Sequence, residues 1–342
     1  MKLLALESSC DDTAAAVLVD GAVRSSVVAS QDAVHRAYGG VVPELASRSH
    51  IRAIAPTIQR ALHEAGVSLE ELDAVAATYG PGLVGSLLVG LCSAKAIAYA
   101  RRLPFIGINH LEGHLLSVQL DRPVAFPYVA LLVSGGHTSL YLARALGDYE
   151  LLGSTRDDAA GEAFDKVAKV LGLGYPGGRV IDELARRGDP RAIPFPRARL
   201  KPNGRGRRFD FSFSGIKTAV ALYVREDARG SAQADIAASF QEAVVDMLLE
   251  PTFAAVRQCA AERLVIAGGV SANARLRERA AAAGSAAGVE VITPAPKYCT
   301  DNAAMIGLAA HYRLARGERD DLTLNATAIA DLAAARAPDG SP

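Results

Sequence analysis

The chain of 342 residues has no tryptophan, and its aromatic share is only 6%. Its core must therefore be built from Ala, Val, Leu and Ile. Net charge is also missing: Lys+Arg and Asp+Glu both number 37. That excludes a uniformly basic nucleic-acid coat but leaves room for a local basic patch. The four cysteines, Cys10, Cys92, Cys259 and Cys299, lack paired spacing and read as reduced thiols rather than a disulfide frame. The opening apolar run turns acidic too soon for a signal peptide. The most apolar long stretch, residues 82–100, is interrupted by Gly82, Gly85, Gly90 and Lys95 and is a poor membrane span. A cytoplasmic protein without a membrane segment is expected. Half the chain is hydrophobic and 22% is charged, which rules out disorder, and the length favours two lobes.

Three segments share one form, an apolar run that breaks into a small, polar or Gly-rich turn: residues 3–13, 129–138 and 264–273. The first two continue into a second apolar run and read as β-hairpins, a weak internal duplication with Thr13 and Thr138 in matching places. The third leads into a helical pattern. Helices are also predicted over 43–65, with Pro43 at the first position and Pro56 as a kink or break, and over 86–100. A further helix spans 158–171, with Phe164, Val167, Ala168 and Leu171 on one face and Glu162 four residues before Lys166. Another covers 232–260, bent or interrupted near Pro251, and the last runs from Asp301 to Arg316. Residues 120–126, with Asp121 and Pro123, form the candidate boundary between lobes.

His110 and His114 stand four apart in INHLEGH, which on a helix puts both imidazoles on one face, as a metal pair requires. Glu112 occupies the third place of that motif, not the second place that a zinc-peptidase helix uses for its base, which argues against a peptidase. The pair also suits two core histidines. Asp301 precedes an apolar helix and is either its N-cap or a third ligand; two His and one carboxylate would leave open positions suiting Fe(II) or Zn. Spacing alone cannot join it to the histidines. The turn Ser134-Gly135-Gly136-His137-Thr138 offers backbone N–H groups to an anion. Gly268 and Gly269 permit close backbone approach, Ser271 or Asn273 could cap the next helix or bind a sugar, and Gly177 and Gly178 fit a plain turn. Asp165 lies near an apolar helix face, as a satisfied acid or a ribose acceptor. Between Asp189 and Asp210 there are no acids, while Arg191, Arg197, Arg199, Lys201, Arg205, Arg207 and Arg208 fall there, with Phe209, Phe211 and Phe213 then alternating as in a strand. This is either a solvated loop or a phosphate-backbone surface.

Eight motifs in order, LALESSCDDT, YGGVVPELASRSH, INHLEGH, LLVSGGHT, DDAAGEAFDKVAKVLGLGYPGG, FSFSGIKTA, VIAGGVSANARL and CTDNAAM, run from near the start to about residue 310. Together they resemble the tRNA N6-adenosine threonylcarbamoyltransferase family, TsaD in bacteria. Asp12 departs from the family's usual Glu. The resemblance implies an α/β, two-lobe actin-like ATPase/sugar-kinase (ASKHA) fold, each lobe a mixed β-sheet flanked by helices. The lobes are then 1–122 and 123–300, with 301–332 packing back between them as a helical segment and 333–342 as a tail. It implies His110, His114 and Asp301 as ligands of one divalent metal per chain, Fe(II) or Zn. It implies Leu132, Val133, Ser134, Gly135, Gly136, Asp165, Gly178, Asp182 and Asn273 as nucleotide-substrate contacts, with Gly268 and Gly269 lining the same pocket. The implied substrates are threonylcarbamoyl-AMP and tRNA, and the implied partners are a smaller paralogous scaffold (TsaB-like) and a small ATPase (TsaE-like). No general base is assigned. An ATPase or kinase of the same fold would use the same phosphate turns but no His pair. A non-catalytic scaffold paralogue is disfavoured by the presence of both histidines and Asp301.

Overall fold

Runs of β-branched and small apolar residues, broken by short polar turns, become two five-stranded sheets. The computed structural model describes residues 1–200, 209–226, 230 and 232–332; Lys201, Arg205, Arg207, Arg208 and the tail 333–342 lie outside the described residues. Residues 1–124 with the described part of 300–342 make one unit, and 125–299 make the other. The first contains β1 (Lys2–Glu7), β2 (Asp12–Val19), β3 (Ala22–Ser30), α1 (Asp32–His35), α2 (Pro43–Ala65), β4 (Ala74–Gly80), α3 (Val84–Arg101), β5 (Phe105–Asn109) and α4 (His110–Leu116). The second contains β6 (Tyr128–Val133), β7 (Thr138–Ala145), β8 (Asp148–Ser154), α5 (Ala160–Val170), α6 (Gly177–Ala185) and α7 (Ser214–Glu226). It continues with α8 (Gln233–Gln258), β9 (Arg263–Ala267), α9 (Ala274–Ala287) and β10 (Glu290–Ile292), after which α10 (Ala303–Ala315) belongs to the first unit.

The sheets share one plan, ordered β3-β2-β1-β4-β5 and β10-β9-β6-β7-β8. In each, the first three strands form an antiparallel meander and the other two join in parallel. Both hairpins expected from the sequence are present, and the duplication extends to all five strands. β1 is buried on both faces, which is why it reads as an unbroken apolar run. Leu4 and Leu6 join the cluster that includes Ile54 and Ile58 of α2 and Leu91 and Ala94 of α3. Ala5 sits on the other face, close under Gly307 of α10.

Of the alternatives expected at Pro56 and Pro251, the break is absent: α2 and α8 continue through both. Pro56 lies on the exposed side of α2, where the carbonyl that it leaves without a donor meets water. Residues 301–332 belong to the first unit. α10 packs on β1 and β2, and the chain beyond it borders β5 and the end of β4: Asp320 N–H donates to the Phe105 carbonyl at 2.9 Å and Thr327 N–H to the Tyr79 carbonyl at 2.9 Å. Among the described residues one helix, Val84–Arg101, is long and apolar enough to cross a membrane by length and composition. It packs against β4 and α2.

Phe209, Phe211 and Phe213, spaced two apart as on one face of a strand, are all buried in the second unit's core, and Phe211 makes a strand-like bridge to Thr155. The segment lies so close to β8 that a Cβ on Gly153 would stand 2.0 Å from the Phe209 carbonyl oxygen. No rotamer relieves a clash with backbone. Gly153→Ala is therefore expected to destabilise the protein by about 1–3 kcal/mol, measured as a lower urea midpoint at unchanged m. A midpoint equal to the parent's would show that the segment does not dock there.

Candidate functional site

Parallel pairing of β1, β4 and β5 carries their C-terminal ends to one edge of the first sheet. Glu7 ends β1, Thr78 stands near the end of β4, and β5 ends at Asn109. Asn109 caps the short helix α4, its side-chain oxygen accepting from Leu111 N–H at 2.8 Å. The cap starts the helix so that His110 and His114 fall on one side of it, their ring centroids 4.7 Å apart and edge-on. On α10 the N-cap is Asn302, which accepts from Met305 N–H at 3.0 Å. Asp301 is thus not the cap, and its carboxylate turns to the histidines. Its Oδ1 lies 3.1 Å from His114 Nε2 and 3.6 Å from His110 Nε2. One ligand atom from each of the three lies within 4.8 Å of the others. Two imidazoles and one carboxylate make a donor set that fits a divalent cation of the Fe(II) or Zn kind.

Glu7, fully buried, prepares this set. One carboxylate oxygen accepts from Ser9 N–H at 2.5 Å, and the other accepts from Thr78 Oγ1 at 2.6 Å and faces His110 Nδ1 at 2.9 Å. Because an ionised carboxylate only accepts, Nδ1 carries a proton, and Nε2 is the ring nitrogen that faces Asp301. Burial works to lower the His110 pKa, yet Glu7 and then Asp301 push it up to about 9. Burial would likewise raise Glu7, but the imidazolium holds it below the usual carboxylate range. Burial keeps His114 low, hence neutral and able to ligate. His114 Nδ1 is buried without a hydrogen-bond partner. The turn after β1 adds more acid: burial, then Asp301 and Asp11, raise Asp12 to about 7, and burial raises Asp11 and Cys10 as well. Carboxylates crowd this edge.

The second unit puts a different chemistry at the corresponding edge. β6 and β9 pair in parallel, Leu132 opposite Ala267, so the turns after them meet. A Cβ on Gly268 would lie 2.5 Å from the Val133 carbonyl oxygen, and one on Gly161 would lie 2.5 Å from that of Ser134. Gly268 is also left-handed, at φ 92°. The Ser134 turn closes on itself through Ser134 N–H to the His137 carbonyl at 2.8 Å. Gly135, Gly136 and Gly178 have open space where a side chain would be. Asp165 accepts from Gly177 N–H at 2.7 Å, tying α5 to the start of α6, and Gly177 approaches the α5 backbone too closely for any side chain. Asp182 pairs with Arg186 through one oxygen while the other is buried without a partner. Gly269 opens a single 3-10 turn. Asn273, not Ser271, caps α9, accepting from Leu276 N–H at 2.9 Å and donating to Gln241 at 2.7 Å. The structure therefore joins residues 132–136 with Gly268, and Asp165 with the YPGG turn. Asp182 and Asn273 are held by local partners of their own.

Three residues escaped sequence reasoning. Glu7 is an acid inside a buried strand, a signal available from LALESS. Glu112 was read only for what it excludes. Asp157 accepts from Ser212 Oγ at 2.5 Å, Phe213 N–H at 2.8 Å and Ser214 Oγ at 2.7 Å, which ties the FSFSGIKTA motif to the loop before α5.

The family model described as tRNA N6-adenosine threonylcarbamoyltransferase matches residues 22–308. A protein of that name from Anaeromyxobacter dehalogenans (strain 2CP-C) is 56% identical over 330 residues, covering 95% of this chain and 98% of the relative. One from Geotalea uraniireducens (strain Rf4) is 51% identical over 347 residues, covering 100% of both. Among solved structures, the ADPNP-bound activator of the 2-hydroxyisocaproyl-CoA dehydratase from Clostridium difficile is similar at TM-score 0.54 and 14% identity, covering 93% of this chain and 97% of that one. Full-length HypF in its phosphate- and nucleotide-bound form is similar at TM-score 0.61 and 14% identity, covering 92% of this chain and 55% of that one. At such identity the likeness is one of fold, the actin-like ATPase/sugar-kinase class.

Asp12 gives a pH test of the acidic edge. Its pKa stands at about 7 against an ordinary 3.8, so the folded state holds a proton that the unfolded state has lost. Without a cation, Asp12's contribution to stability falls as pH rises from about 4 to about 7. Asp12→Asn removes that penalty. In chelator-treated protein it is expected to be more stable than the parent at pH 8, by an amount on the order of 1–3 kcal/mol, with the gain gone at pH 4. Equal melting of the two chains at both pH values would contradict the crowding.

Proposed function

Given that the chain belongs to the tRNA N6-adenosine threonylcarbamoyltransferase family, we propose that it moves the threonylcarbamoyl group from threonylcarbamoyl-AMP to N6 of the adenosine beside the anticodon (tRNA position 37). The amine attacks the carbamoyl carbon, the new C–N bond forms, and the bond to the phosphate oxygen breaks. AMP leaves with the electron pair, and the amine loses a proton. The observation that carries the metal-assisted form of this reading is the meeting of His110, His114 and Asp301, residues up to 191 positions apart in sequence, within 4.8 Å. A divalent cation there, Fe(II) or Zn, supplies polarisation of an oxygen or neutralises charge developing on it. The protein's own part is positional. Glu7 holds the Nδ1 proton of His110, and Asn302 takes over the capping that would otherwise engage Asp301. Open backbone at Gly135 and Gly136 suits the adenylate phosphate, and Asp182, with one oxygen lacking a partner, suits a ribose hydroxyl.

The same reading takes the protein to be cytoplasmic and to work with a smaller paralogous scaffold and a small ATPase. Exposed Ile51 on α2 and Val84 and Leu88 on α3 give the first of these an apolar face to meet. For tRNA, the described part of the basic stretch is partly neutralised, Arg197 by Asp246 and Arg199 by Glu250. The weight falls on Arg205, Arg207 and Arg208.

Depletion of the protein is expected to abolish threonylcarbamoyladenosine in cellular tRNA, measured by mass spectrometry of nucleosides. An unchanged level would reject the activity. Purified protein should hold about one Fe or Zn per chain, and His110→Ala or His114→Ala should lose both the metal and nearly all transfer; full transfer by a metal-free chain carrying both substitutions would reject the metal's part. Neutralising Arg205, Arg207 and Arg208 together is expected to weaken tRNA binding and flatten its salt dependence, since each phosphate contact releases counterions. Identical slopes in a salt titration, with the partner proteins present, would place the tRNA elsewhere.

A further inference from the structure

Glu112 stands between the two histidines in sequence but takes no part in the ligand set. Its carboxylate is almost completely buried, and both oxygens are occupied by one guanidinium: Arg313 Nε donates at 2.7 Å and Nη2 at 2.9 Å. Arg313 is itself buried and donates through Nη1 to Glu318 at 2.5 Å. Arg313 lies near the far end of α10, about 15 Å of helix from Ala303. The near end carries Asp301 and its capping neighbour Asn302.

α4 has only seven residues, too few to hold a helix unaided, so its orientation comes from what it touches. Two contacts fix it against α10. Gly113 meets the start of α10 so closely that a Cβ there would stand 2.8 Å from Ile306 Cδ1 and 3.1 Å from Met305 Cγ. Glu112 engages Arg313 two turns further along. A bidentate pair is directional as well as attractive. A buried pair does little for net stability against a well-packed apolar replacement, and its best-attested use is to fix register.

We propose that Glu112 and Arg313 are positioning residues, whose ion pair sets the register of α10 against α4 and so places Asp301 relative to His110 and His114. The inference rests on the reading that these three residues hold a divalent cation. It concerns neither a proton nor the substrate, only the geometry of the donor set.

The test is cobalt(II) binding by the purified full chain, followed by visible absorption, with zinc competition for affinity. Glu112→Met with Arg313→Met replaces the pair by apolar groups of similar length, which the fold should tolerate. Arg313→Lys keeps the charge but loses the two-pronged bond. Both variants are expected to melt cooperatively near the parent and to bind cobalt about 10- to 100-fold more weakly, with an altered absorption spectrum. Should the double variant fail to melt cooperatively, Arg313→Lys decides by the same two readings. A folded variant with the parent's affinity and spectrum would make the pair merely structural and overturn the inference. Parent protein that binds no cobalt or zinc would overturn the metal reading itself, and the inference with it.

Discussion

A carboxylate sealed from water has to be fully hydrogen-bonded, or it costs several kcal/mol. Glu7 meets that demand with groups from three places at once: Ser9 in the turn after β1, Thr78 on β4 and His110 after β5. None of these contacts forms unless the parallel register of β1, β4 and β5 is right. The charge on Glu7 in turn favours a proton on His110 Nδ1 and aims Nε2 at Asp301. One buried charge therefore couples strand register to the orientation of His110. The placement of His114 and Asp301 depends on helices that this carboxylate does not touch.

The two sheets share strand order and direction, so what separates the units chemically is what the turns contain. After β1 the turn is Ser8-Ser9-Cys10-Asp11, and after β6 it is Ser134-Gly135-Gly136-His137. Acidic side chains in one place and bare backbone in the other turn the same frame into opposite surfaces. The first concentrates negative potential and suits a cation. The second presents N–H groups and suits an anion. Even the matched threonines have diverged, with Thr13 Oγ1 2.7 Å from His50 Nδ1 and Thr138 accepting from the α5 residue Ala160 at 2.9 Å.

Period and punctuation in the sequence were enough for the hairpins, for α5 with its Glu162–Lys166 pair at 2.7 Å, and for the histidine pair on one helix face. They failed where two explanations share one local signal. Asp301 before an apolar helix looks like an N-cap, and only the neighbouring Asn302 in that role shows otherwise. Pro56 and Pro251 look like breaks because local sequence does not say which side of the helix faces water or packing. The partnership of His114 with a residue 187 positions away has no local signal at all. It was legible only through the order of whole motifs.

Zero net charge conceals this separation. Exposed pairs such as Arg179 with Glu183 contribute little and are screened by salt. The charges that shape the first unit are buried ones: Glu7 against His110, and Glu112 against Arg313. Each removes from water a group that could have stayed solvated, and each joins segments far apart in the chain. Such pairs are poor at adding stability compared with apolar packing, but apolar contacts slide and a two-pronged ion pair does not. On the reading that His110, His114 and Asp301 hold a cation, that set tolerates little sliding, since metal–ligand distances are fixed to within about 0.2 Å. Buried charge placed beside the three residues rather than among them would then be the means by which an alanine-rich core, with few large side chains to interlock, holds that tolerance.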